Sequence, residues 1–150
     1  MEECSEFGSE IIKHHHLTKT CTMKTFKKTI TIHADIEDVY AALTNPVTIE
    51  LWSGYPAVMD INPGTEFSLW DGDITGLTLE VEPLRKIVQE WFFGESEVSS
   101  IVTIYLLRDF GNTQVTVEHQ NIPDDDFENI SEGWREYYMG AIENFLNPNF

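Results

Sequence analysis

The sequence is poor in basic residues. It contains nine Lys and Arg against 26 Asp and Glu, which gives a formal net charge of −17 at pH 7. From residue 29 onward the only cations of fixed charge are Arg85, Lys86, Arg108 and Arg135. So few positive charges cannot neutralise a nucleic-acid backbone or an anionic bilayer. We therefore predict that the protein binds neither nucleic acid nor a membrane.

Cysteines and long apolar runs are also scarce. The two cysteines, Cys4 and Cys21, both precede the regularly patterned part of the chain. A core without cysteine can hold neither a stabilising disulfide nor a thiol nucleophile. No segment reaches the roughly 20 apolar residues that a membrane-spanning helix needs, and no secretory signal follows Met1. These absences predict a cytoplasmic protein.

The N-terminal segment has no regular period. We expect residues 1–22 to form an irregular, mobile extension, and residues 23–150 to form a single domain. A metal site built from His14, His15 and His16 with a cysteine is one interpretation of the extension. Consecutive histidines point in different directions, however, and the cysteine spacing matches no zinc pattern. We therefore predict no metal site.

The domain begins with a strand and two short helices. Apolar and polar residues alternate from Thr25 to His33, which indicates a strand. Asp35 is a suitable N-cap for a helix at Ile36–Leu43, and a second helical piece is expected at about 47–52.

The middle of the chain has the turns and alternation of antiparallel strands. Asp71-Gly72 predicts a two-residue hairpin after a short strand at 67–70. Further strands are expected at about 74–82, 86–93, 98–107 and 113–120.

The last segment changes to a helical period. Its apolar residues recur at spacings of three and four over about 20 residues, as one stripe of Phe127, Ile130, Trp134, Tyr137, Tyr138, Ala141, Ile142 and Phe145. Asp124, Asp125 and Asp126 precede the stripe. Three carboxylates suggest a calcium site, but capping of the helix and interaction with its dipole explain them better.

The order of elements predicts the fold class. A strand, two short helices, a run of antiparallel strands and one long amphipathic helix make an α+β protein. A curved antiparallel sheet around the long helix buries all the apolar faces at once.

Three stretches also resemble a known family. They are Phe-Ser-Leu-Trp-Asp-Gly with Ile-Thr-Gly at 67–76, Arg-Lys-Ile-Val-Gln-Glu-Trp at 85–91, and Gly-Trp-Arg-Glu-Tyr-Tyr at 133–138. The sequence from Phe26 to Leu146 resembles the C-terminal domain of activators of the heat-shock protein 90 ATPase. That family belongs to the START-like, or SRPBCC, superfamily, so the resemblance implies a helix-grip fold. It also implies a heat-shock protein 90-type chaperone as a partner.

A helix-grip fold leaves a cavity between the sheet and the long helix. Eight side chains are predicted to line it, and most are apolar or aromatic: Trp52, Phe67, Gln89, Trp91, Val117, His119, Trp134 and Tyr138. A few polar groups among apolar walls are typical of a small-molecule site, although the same aromatics could simply fill a core. Gly133 costs about 1 kcal/mol relative to alanine inside a helix. Either a close approach of helix and strand or the volume of a cavity would explain it.

Catalytic motifs are absent from the sequence. It contains no Gly-rich phosphate loop and no Gly-x-Ser-x-Gly elbow. Glu90 and His119 are the candidates for proton transfer, and strand exposure and core packing explain them more simply. We predict a non-catalytic domain without cofactor or metal that binds a hydrophobic small molecule. The alternatives are a co-chaperone that binds its ATPase through an acidic surface and, third, a small enzyme.

Overall fold

The computed structural model describes residues 22–92 and 99–147. The predictions for residues 1–21, including the histidine run, lie outside the described residues. So do the predicted strand ends at residues 93 and 98.

Within residues 22–92 and 99–147, one antiparallel sheet of six strands forms the body of the domain, in the order β1-β6-β5-β4-β3-β2. The strands are β1 (Met23–Ile32), β2 (Glu66–Leu69), β3 (Ile74–Glu82), β4 (Lys86–Phe92), β5 (Ser99–Asp109) and β6 (Asn112–Pro123). Side chains alternate between a buried and a more exposed face along β4, β5 and β6, as period-2 patterning requires. The predicted α+β architecture is confirmed.

Two short helices connect the edge strands β1 and β2. They are α1 (Ile36–Thr44) and α2 (Pro46–Ser53). Asp35 occupies the N-cap position of α1, but its side chain makes no capping hydrogen bond, so that detail of the prediction is wrong. The next helix, α2, does have a side-chain cap. The side-chain oxygen of Asn45 accepts from the backbone N–H of Val47 at 2.9 Å.

The long C-terminal helix contains an irregular turn. It consists of α3 (Phe127–Glu132), a π-helical segment (Gly133–Met139) and α4 (Gly140–Leu146), and helical backbone angles continue through both junctions. A π turn holds more residues than an α turn and therefore rotates the side chains that follow it. Part of the predicted stripe is consequently wrong: Tyr137 is 64% exposed, whereas Met139 is buried.

The three aspartates before the helix do not act as side-chain caps. They form a short 3-10 turn, and neither its start nor the start of α3 has a capping side chain. Asp124 instead accepts a hydrogen bond from the Thr22 hydroxyl and lies 4.0 Å from the Lys24 ammonium. These contacts attach the beginning of β1 to the start of the helix.

No helix in the described ranges has the length and apolar character needed to cross a membrane. Within the same ranges, no three His, Cys, Asp or Glu side chains are close enough together to hold a metal ion.

Candidate functional site

Aromatic side chains from the helix, the sheet and α2 meet inside the grip. Trp134 and Tyr138 lie one turn apart on the helix, and their ring centroids are 4.6 Å apart in a stacked arrangement. Trp91 of β4 stacks on Trp134 at 5.1 Å. Trp52 and Trp70 also contact Tyr138, with ring centroids at 5.2 and 5.6 Å. Four of the eight predicted site residues therefore belong to one cluster, with Tyr138 at its centre.

Hydrogen bonds fix the indole rings of this cluster. The Trp134 Nε1–H donates to Nδ1 of His119 at 2.9 Å, and the Trp91 Nε1–H donates to Oε1 of Gln89 at 2.8 Å. The Trp52 Nε1–H donates to the carbonyl oxygen of Ala42 at 2.8 Å. A buried N–H without a partner would be costly, so these bonds hold each ring in one orientation.

His119 is a neutral hydrogen-bond partner within the core. It has no exposed surface, and burial lowers its pKa from the usual 6.5 to about 3. Because Nδ1 accepts the bond from Trp134, the ring proton resides on Nε2. An imidazole that stays neutral near pH 7 is unsuited to collect a proton there, so its geometry favours a positioning role.

Tyr138 presents an unsatisfied hydroxyl. The side chain is only 2% exposed, and among the described residues its hydroxyl has no hydrogen-bond partner. Burial raises the pKa of this phenol well above its usual value, so the group stays protonated and available as a donor. Leaving a buried hydroxyl without a partner costs about 1–3 kcal/mol.

A cavity of about 360 Å³ lies against this cluster, between the long helix and strands β3 and β4. Ten residues line it: Trp70, Asp73, Ile74, Trp91, Asn129, Ile130, Gly133, Trp134, Tyr137 and Tyr138. Asp73 is the one charged side chain among them. The walls are therefore mainly apolar and aromatic, with a carboxylate at one side.

Three of the eight predicted site residues line the cavity, and five do not. Trp91, Trp134 and Tyr138 line the cavity. The remaining five do not: Trp52, Phe67, Gln89 and His119 are buried behind the wall, and Val117 lines a second, smaller cavity. Gln89 and His119 still act on the cavity indirectly, because each holds one of its tryptophan rings.

Sequence reasoning missed the contribution of the β2–β3 connection. Leu69 pairs with Ile74, so the loop has four residues rather than the predicted two. Trp70 and Asp71 both adopt left-handed backbone angles there, with φ of 49° and 54°. This unusual backbone directs the Trp70 ring towards Tyr138, and the motif at 67–72 was the only sequence signal for it.

Gly133 contributes space rather than a close contact. A Cβ atom added at Gly133 would meet no atom within 4 Å, so close approach to a strand does not explain this glycine. Its place in the cavity wall agrees with the second explanation, cavity volume. Gly76 is the position where glycine is required, because a Cβ there would lie 1.9 Å from the carbonyl oxygen of Glu90.

Glu90, the carboxylate considered for proton transfer, does not line the cavity, and neither does Glu80 on the neighbouring strand. Glu90 alternates with Gln89 and Trp91, whose side chains face the helix, and it accepts from the Ser99 hydroxyl at 2.7 Å. Glu80 lies 3.2 Å from the Lys86 ammonium on the sheet. The walls of the cavity are therefore suited to an apolar molecule, and Glu90 is not placed to transfer a proton there.

Comparisons of the sequence with family models and with curated proteins indicate the same family. Residues 33–147 match the family described as Activator of Hsp90 ATPase homolog 1-like protein. The chain is similar to the human Activator of 90 kDa heat shock protein ATPase homolog 1, with 27% identity over 71% of this chain and 32% of the human protein. It is similar to the Dictyostelium discoideum activator homolog, with 30% identity over 91% of this chain and 36% of that protein. The chain thus spans about a third of the length of these curated relatives.

A solved structure resembles the whole domain. The crystal structure of an HSP90 activator from Plasmodium falciparum superposes with a TM-score of 0.76 and 28% identity. The match covers 81% of this chain and 95% of that one.

Proposed function

Because the chain belongs to the Activator of Hsp90 ATPase homolog 1-like family, with the helix-grip fold of the SRPBCC superfamily, we propose that it binds a hydrophobic small molecule between its sheet and its long helix. The binding site is the cavity of about 360 Å³ beside Trp91, Trp134 and Tyr138. Its volume falls within the range of about 300–1,000 Å³ that is common for small-molecule pockets.

The unsatisfied hydroxyl of Tyr138 is the observation that carries this proposal. A ligand atom that accepts a hydrogen bond from it would remove the cost of burying an unpaired donor. The flat rings of Trp91 and Trp134 favour a planar ligand. Asp73 in the wall of this cavity disfavours an anion there. The ligand expected here is planar, uncharged and equipped with one acceptor such as a carbonyl group.

A pair of fluorescent probes tests this proposal. Prodan is a neutral, planar naphthalene ketone, and 2-dimethylaminonaphthalene is a matched probe that lacks the carbonyl. We expect saturable binding of prodan, with a blue shift of its emission and quenching of tryptophan fluorescence. The variant Tyr138→Phe removes only the hydroxyl, and should weaken prodan binding by about threefold to tenfold while leaving the second probe unaffected.

A blocking variant provides the control. A leucine at position 133 extends from a helix position with free space around its Cβ, so Gly133→Leu should fill the cavity without unfolding the domain. Prodan binding that survives in Gly133→Leu, or that is never saturable, would refute the proposed site.

A second candidate function is regulation of a heat-shock protein 90-type ATPase. The similarity to the Plasmodium falciparum HSP90 activator supports it, and the acidic charge would steer the domain towards a basic patch on a partner. A cytoplasmic location, expected from the sequence, is proposed together with this second function.

ATP turnover by such a chaperone, titrated with the full chain at low and at moderate salt, tests the second candidate. Stimulation that weakens as salt increases would support it. Unchanged turnover together with no detectable association would exclude it, and would leave ligand binding as the remaining function.

A further inference from the structure

A second, smaller cavity lies on the β1 and β6 side of the long helix. It has a volume of about 170 Å³, and its apolar wall is formed by Phe26, Ile30, Val117, Trp134 and Met139. It shares only Trp134 with the larger cavity. An apolar cavity of about 150 Å³ in another protein is large enough to hold benzene. The smaller cavity can therefore accept one ring or a short alkyl group.

Two cations complete the lining of this cavity. Lys28 projects from β1 and Arg135 from the π-helical segment. Neither has a carboxylate within ion-pair distance among the described residues, although this chain contains 26 acidic residues. Of the five other Lys and Arg in the described ranges, Lys27 has no ion pair either, and four pair with a carboxylate: Lys24, Arg85, Lys86 and Arg108.

The neighbouring strand explains why no carboxylate of the sheet reaches Lys28. Lys28 lies opposite Val117 in the register of β1 and β6. The residues of β6 that share the face of Val117 are Val115 and His119, and neither carries a negative charge. Lys28 thus interrupts the apolar face of β1 at a place where the sheet offers it no partner.

We propose that the smaller cavity binds a small apolar carboxylate. Its ring or alkyl group occupies the space beside Met139, and its carboxylate lies between Lys28 and Arg135. This site is separate from the one in the proposed function, because it differs in lining, in volume and in the sign of its charged groups. It would persist if the larger cavity bound nothing.

Benzoate is the probe for this site, and benzyl alcohol is the uncharged control. Methyl NMR with labelled Met and Ile distinguishes the two cavities, since Met139 lines only the smaller one and Ile130 only the larger one. We expect benzoate to shift the Met139 methyl signal saturably. Benzyl alcohol should cause a weaker shift, and about 300 mM NaCl should weaken benzoate binding.

Charge variants distinguish benzoate binding in the smaller cavity from an unspecific shift of the Met139 signal. Lys28→Gln and Arg135→Gln each remove one cation of the cavity, and each should weaken benzoate binding about threefold. Lys27→Gln is the matched control, because it removes the same charge from the neighbouring residue, which lies on the opposite face of β1. All three residues are exposed, so the variants should fold.

Three results would overturn the proposal. They are the absence of a saturable Met139 shift, equal effects of Lys27→Gln and Lys28→Gln, and shifts confined to Ile130. The last result would place benzoate in the larger cavity, and would contradict the expected exclusion of anions there as well.

Discussion

His119 connects the helix to the sheet through a hydrogen bond and ring contacts. Its Nδ1 accepts from Trp134 on the helix, and its ring forms a T-shaped contact with Trp91 on β4, with centroids 5.1 Å apart. Both interactions require the neutral imidazole to stay buried. The orientation of two cavity walls therefore depends on the protonation state of one side chain.

Acid should destabilise the domain through His119. The pKa is about 3 in the folded state and 6.5 for the free side chain, so the unfolded chain binds the extra proton between these values. The contribution of His119 to stability is complete above pH 6.5 and is lost as the pH falls towards 3. At pH 5 the loss is about 2 kcal/mol. Urea unfolding at pH 7 and pH 5 measures it.

The variant His119→Asn is the comparison for this prediction. Its amide oxygen can still accept from the Trp134 Nε1–H, but it does not titrate. The carboxylates affect both proteins alike, so the variant should lose about 2 kcal/mol less than the natural protein between pH 7 and pH 5. Equal losses would show that His119 is not the titrating group.

At the scale of elements, periodicity predicts the existence of strands and helices but not their local irregularities. The strand at 74–82 was predicted to the residue, and the helix at Ile36–Leu43 lacked only Thr44. Both have strong alternation or a clear start and stop. The exposure of Tyr137 was mispredicted, because spacings of three and four assume an uninterrupted α-helix.

The hairpin loops also show that local sequence patterns do not predict irregular backbone. Asp71-Gly72 has the composition of a two-residue turn, yet the loop has four residues, and its Trp70 packs against Trp52 and Tyr138. The two-residue loop is Phe110-Gly111 instead, between paired Asp109 and Asn112. The aromatic core of the site could be predicted from composition and spacing, whereas Trp70 could not, because its place depends on that strained turn.

Two glycines bracket the π-helical segment, and alanine should affect them in opposite ways. At Gly133 an added Cβ meets nothing, so Gly133→Ala should stabilise the domain by up to about 1 kcal/mol. At Gly140 the Cβ would lie 2.6 Å from the carbonyl oxygen of Arg135, so Gly140→Ala should destabilise it by about 1–3 kcal/mol. Urea midpoints at constant slope give both values. The same sign for both variants would contradict the geometry of this segment.

At the scale of the whole molecule, the charge is one-sided and weakly compensated. The ion pairs of the described residues are mostly exposed, as for Arg108 with Glu37 and Arg85 with Glu82. Such pairs contribute about 0–1 kcal/mol each, whereas the repulsion among 26 acidic residues acts over the whole surface. The family fold is therefore maintained by its core and its sheet against an unfavourable electrostatic term.

Salt should consequently stabilise this domain. Screening weakens repulsion between distant carboxylates more than it weakens the few close pairs. Between about 10 and 300 mM NaCl we expect the melting temperature to increase by about 2–5 °C, which is about 1 kcal/mol for a domain of this size.

Glu66→Gln and Glu136→Gln remove exposed charges that have no ion pair among the described residues. The double variant should melt higher at low salt and respond less to added salt. A melting temperature that falls with salt would mean that the ion pairs outweigh the repulsion.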